Sequence, residues 1–68
     1  MKVFVLCDYP YYDGGGNILG VYSTFEKALA VVEEKCKEIK GWDRLTPTRW
    51  TNSDYELNLD ISEHTVED

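Results

Sequence analysis

The sequence is poor in the residue types that carry catalysis and metal binding. It has one histidine, two cysteines and one methionine in 68 residues. A general base needs a fixed partner and a pocket, and His64 lies in an acidic, polar C-terminal stretch. Cys7 is followed by Asp8, a carboxylate that works against a nucleophilic thiolate. Two cysteines and one histidine at these spacings form no zinc pattern. The expectation is therefore a protein that is not an enzyme and holds no metal or cofactor. Two cysteines are also too few for the disulfide framework of a small secreted domain. Cys7 and Cys36 read as reduced core residues, with a single bridge between them as the alternative. No run approaches the roughly 20 apolar residues of a membrane span. The segment VFVLC near the start is too short for a signal peptide and lacks a cleavage pattern, so a cytoplasmic protein is expected.

Basic residues are missing from the whole end of the chain. Residues 1–53 hold seven acids and all seven bases, whereas residues 54–68 hold six acids and no base. The net charge of −6 therefore belongs to that last segment, which would repel phosphates. Direct nucleic-acid binding is not expected.

What the sequence does contain is one domain's worth of periodic structure. A chain this short buries only roughly 60% of the surface its unfolded form exposes, so a partner subunit is a reasonable source of added stability. The stretch Ser23–Gly41 predicts the only helix. Ser23 and Glu26 have capping-box spacing. Phe25, Ala28, Leu29, Val32, Cys36 and Ile39 form one apolar stripe. Lys37 and Lys40 suit the helix C-terminus, and Gly41 offers a left-handed stop. Before the helix, Lys2–Asp8 reads as a central strand that is apolar on both faces. Pro10 and three glycines form a turn, and Ile18–Tyr22 forms a second strand.

After the helix, residues 41–48 read as a loop and residues 48–61 as a third strand, with a bend near Asn52-Ser53. Tyr55, Leu57, Leu59 and Ile61 alternate there with Asp54, Glu56, Asn58 and Asp60. The predicted fold is α+β: a ββαβ chain in one domain over residues 1–61, with a three-stranded antiparallel sheet of order 2-1-3 and one helix on one face. Residues 62–68 are expected to form a frayed acidic tail. The uncovered face must present either Phe4 and Leu6 or Val3 and Val5, which suggests a homodimer or another partner covering it.

Three groups of residues are candidate binding sites. Tyr9, Tyr11 and Tyr12 crowd the first turn, and loop tyrosines are frequent contact residues. Trp42, Arg44, Arg49 and Trp50 form an aromatic and basic cluster. It suits an interface hot spot or a nucleotide ligand stacked on an aromatic and paired to an arginine. Asp54, Glu56 and Asp60 would share one face of an extended strand, with adjacent i, i+2 positions about 6.6–6.8 Å apart. Such a row could imitate spaced phosphates, or it could simply be a solvated face that deters edge pairing. The run Asp13-Gly14-Gly15-Gly16-Asn17 resembles a phosphate loop only superficially. It lacks the Gly-Lys-Ser/Thr ending and precedes a strand, so it reads as a hairpin tip.

The segments KVFVL, GVYSTFEKA and YEL, in that order, resemble those of small uncharacterised bacterial and phage proteins with a ββαβ plan. The resemblance spans Lys2–Leu6, Gly20–Ala28 and Tyr55–Leu57. It implies a fold and a bacterial or phage-infected host cell, with no activity to carry over. Together these features predict a non-enzymatic acidic binding protein that occupies a partner protein, for instance a phage-encoded inhibitor of a host defence factor. The alternative is an oligomeric sponge or sensor that holds an anionic nucleotide between the Trp/Arg cluster and the tyrosine turn.

Overall fold

The N-terminal run of β-branched and aromatic residues forms a nine-residue strand, β1 (Lys2–Pro10), as its composition favours. A computed structural model describes residues 1–12 and 15–67. Asp13 and Gly14 of the expected hairpin tip, and Asp68 of the expected tail, lie outside the described residues. β2 (Asn17–Tyr22) pairs antiparallel with β1, with Leu19 as an extra residue where the register shifts between Leu6 and Cys7.

The helix α1 spans Phe25–Glu38. Its cap is Thr24, one residue later than the expected Ser23: the Thr24 hydroxyl accepts the Lys27 backbone N–H at 3.2 Å. Ser23 Oγ instead lies 3.2 Å from the Lys27 ammonium. The helix ends at Ile39, whose backbone is extended, and Gly41 follows with φ +98°. That left-handed backbone favours glycine, and a Cβ there would sit 3.0 Å from the Asp54 carboxylate, the end of an exposed side chain.

Beyond the helix the three-stranded expectation is corrected. Residues Trp42–Thr46, expected as loop, form β3. The expected third strand is two strands, β4 (Arg49–Asn52) and β5 (Leu57–Thr65), separated by a reversal at residues 53–56. The antiparallel sheet has five strands in the order β2-β1-β5-β4-β3.

Asn52 makes the reversal. It is fully buried, and its Oδ1 accepts the backbone N–H groups of Asp54 and Tyr55 at 3.1 and 3.3 Å. Its Nδ2 donates to Lys40 O at 3.1 Å, tying the turn to the end of the helix. Glu56 closes the turn with φ +52°. The alternating pattern is therefore strand only from Leu57 onward, and Tyr55 is exposed. At the other end β5 runs on to Thr65, paired with Lys2, and Val66 N donates to Met1 O at 2.7 Å. Residues 62–65 are thus sheet, where a frayed tail was expected.

The helix covers one face, packing on β2, β1 and β5. Leu6, Leu59, Ile61 and Trp50 from the sheet meet Ala28 and Val32 from the helix, with Phe4, Tyr22 and Phe25 around them. The rings of Phe4 and Phe25 meet edge to face at 6.2 Å. Burying side chains of this size stabilises by about 1.5–3 kcal/mol each. No helix among the described residues is long and apolar enough to cross a membrane.

Candidate functional site

Residues paired directly across a sheet share a face, so the register shows what the helix leaves uncovered. Leu6 and Ile61 are partners on the helix side. The opposite face therefore carries Val3, Val5, Cys7 and Tyr9 from β1, opposite His64, Ser62, Asp60 and Asn58 from β5. β2 adds Val21 beside Val5 and Ile18 beside Cys7. β4 adds Arg49 beside Asp60 and Thr51 beside Asn58, and β3 adds Asp43 beside Thr51. The open face is thus divided. Its β2–β1 half is mainly apolar, with Ile18 70% and Val21 58% exposed. Its β5–β4 half is polar and hydrogen-bonded.

The polar half is held by local pairs. Arg49 Nε lies 3.4 Å from Asp60 Oδ1. The hydroxyls of Tyr11 and Thr51 hydrogen-bond across the end of the sheet, and Ser62 Oγ lies 2.9 Å from His64 Nε2. The Tyr9 hydroxyl is pushed up from its ordinary pKa. The chief cause is the neighbouring Cys7 side chain, followed by burial and Asp60, with Arg49 opposing. His64, expected in a tail, sits on β5 opposite Val3. The Ser62–His64 pair is exposed to solvent on the strand surface. No group of three or more His, Cys, Asp or Glu able to hold a metal ion occurs among the described residues.

The structure separates several residues that the sequence had grouped. Trp42, Arg44 and Trp50 lie on the helix side of the sheet, whereas Arg49 lies on the open face. Trp50 is only 5% exposed. The Arg44 guanidinium covers its ring at 5.0 Å and donates to Pro47 O at 2.7 Å. Arg44 and Trp50 therefore satisfy each other, and the four residues do not converge on one ligand. The acidic row is also corrected. Asp54 and Glu56 belong to the 53–56 turn and only Asp60 lies on β5, where it faces Arg49.

Tyr9 and Tyr11 border the open face, while Tyr12 is 82% exposed at the sheet end, its ring edge-on to Tyr11 at 6.4 Å. Cys7 and Cys36 are free; one is on the open face and the other on the helix, packed against the core. A shallow depression of about 240 Å³, lined by Glu34, Lys37 and Glu38, lies on the solvent side of the helix.

The residues that sequence reasoning did not single out as a site are Ile18 and Val21. Their signal was the uncharged run Ile-Leu-Gly-Val-Tyr beside a strand that is apolar on both faces. The family model described as "Domain of unknown function (DUF7336)" matches residues 1–64, which takes in every element but the last residue of β5. No curated protein and no solved structure matches the chain.

Proposed function

The chain belongs to the DUF7336 family, and for this member we propose a non-enzymatic binding protein that occupies a partner protein through its open sheet face. One observation carries the reading: a five-stranded sheet with a helix on one side only, whose other side exposes Ile18 and Val21 next to Val3 and Val5. Contiguous exposed apolar surface on a small chain is the physical mark of a docking surface.

The rim chooses the partner's chemistry. Asp43 lies on the same face at the far edge of the sheet, and Asp54 and Glu56 stand exposed at the turn between β4 and β5, where Tyr11 N donates to Glu56 O. Arg49 is engaged with Asp60. The matching surface is an apolar patch bordered by lysine or arginine side chains, whose charges speed encounter and fix register. Two free thiols, both only partly buried, support a reducing, cytoplasmic setting.

Comparative affinity capture from host lysate, at submicromolar chain concentration, tests this reading. The native chain and a helix-side control, Glu34→Lys/Glu38→Lys, should enrich the same protein. Ile18→Glu/Val21→Glu should lose it, and Asp54→Lys/Glu56→Lys should weaken it. Equal capture by all four chains would show that the open face is not the docking surface.

A further inference from the structure

The two edges of the sheet are not equivalent. β3 carries Asp43 and Arg44 and runs into Pro47, and charge and proline are the usual means by which an edge is kept from pairing. β2, Asn-Ile-Leu-Gly-Val-Tyr, has no charged residue and no proline. Both edges contain a one-residue bulge, Leu45 in β3 and Leu19 in β2, so the bulge does not account for the difference. In β2 it leaves Gly20, Val21 and Tyr22 in regular register with β1.

We propose that β2 pairs with β2 of a second copy of this chain, antiparallel about a two-fold axis, so that two five-stranded sheets continue as one of ten strands. Charge places the contact between two copies. The chain carries −6, so two copies repel over most of their surface, and the acids are concentrated in residues 54–68. β2 is uncharged, and β1 stands between it and β5. An antiparallel pair of identical strands is self-complementary, as a two-fold interface requires.

The arrangement also makes sense of the divided face. In one copy the apolar half lies at the margin of the sheet. Across the two-fold axis Ile18, Val21, Val3 and Val5 of both copies meet as one central patch, with the polar halves outside. This deepens the reading of the open face as a docking surface without depending on it, because strand pairing uses the edge and docking uses the face.

The contact is small. Six residues rising about 3.4 Å each span about 20 Å, and the molecule is 18 Å along its shortest axis. The abutting area is therefore on the order of 360 Å² per copy, under half of the roughly 800 Å² of a standard interface. A weak, transient dimer follows, to be sought at about 1 mM chain.

Sedimentation equilibrium from 10 µM to 1 mM, with hydrogen exchange at about the same two limits, tests the pairing. The native chain's average mass should rise clearly above the monomer's towards about 1 mM, and exchange across residues 18–22 should slow in proportion to the dimer fraction while residues 42–46 stay unchanged. Ile18→Lys/Val21→Lys, placed at exposed positions, should keep the native circular dichroism and remain a monomer throughout. A native chain that stays monomeric at 1 mM overturns the proposal. So does a dimer whose new protection falls on β3, or one that the double lysine variant forms equally well. Loss of pairing with capture intact would remove this proposal alone; the reverse would remove only the docking reading.

Discussion

Asn52 does more for the shape of the molecule than any charged residue. It is buried with both ends of its amide engaged, two backbone donors on one side and Lys40 O on the other. Replacing it with alanine leaves buried backbone groups without partners, which costs about 1–3 kcal/mol. Urea unfolding should show this as a lower midpoint at unchanged slope. Asn52→Asp should not rescue it, since the donor to Lys40 O is gone and a charge is buried instead. Gly41→Ala should cost roughly 1–2 kcal/mol for its left-handed backbone alone, in the same assay.

Cys36 gives a residue-scale test in pH. Burial, with Glu33 adding, pushes its thiol up from the ordinary range. A raised folded pKa means that its stabilising contribution is complete below the unfolded thiol's pKa and is lost as pH rises through the folded value. Alkylation of Cys36 at pH 8 should therefore be slower than that of a free thiol, and Cys36→Ala should flatten the alkaline fall in stability.

At the scale of elements, what was legible followed local rules. The helix stripe was readable because packing at i, i+3 and i+4 is written in the sequence itself, and Ala28 and Val32 are indeed its buried residues. The cap was misread by one residue because Ser23 and Thr24 carry the same chemistry. Thr24→Ala should cost about 1 kcal/mol and Ser23→Ala much less, measured side by side by thermal unfolding.

The β4–β5 reversal was legible only as a bend near Asn52-Ser53, within one continuous strand. Asn52 forms it with two local bonds, from Asp54 N and Tyr55 N, and anchors it to Lys40 O, but Tyr55-Glu56 continues the alternation straight through the turn. β3 was hidden for another reason: Trp-Asp-Arg-Leu-Thr is an edge strand mostly exposed to water, so no alternation marks it. The open face was half legible. Alternation along β1 offered two parities, and only its partners, Ile61 and the helix, fix that Val3 and Val5 point outward.

For the whole molecule, the core is small enough that one residue decides folding. A 68-residue chain at ordinary specific stability has about 3–10 kcal/mol in total. Leu6 is fully buried at the centre of the sheet, and Leu6→Ala should cost about 2–5 kcal/mol. Calorimetry should find the variant largely unfolded near 37 °C, whereas Val21→Ala, mostly exposed, should melt close to the native chain.

The neighbouring positions of β1 and β5 bear on how the chain folds. The sheet consists of two local halves, the β1–β2 hairpin and the β3–β4–β5 meander, and the seam between them joins residues as distant as Met1 and Val66, 65 positions apart. Each half can form early, but neither holds a complete core, since Leu6 belongs to one and Ile61 to the other. Closing that seam spans nearly the whole chain, so its loop entropy adds to the folding barrier. A permuted chain, with the old ends linked by a short glycine-rich bridge and new ends opened at the Pro47-Thr48 turn, would turn the contact between the most distant residues into one of the most local.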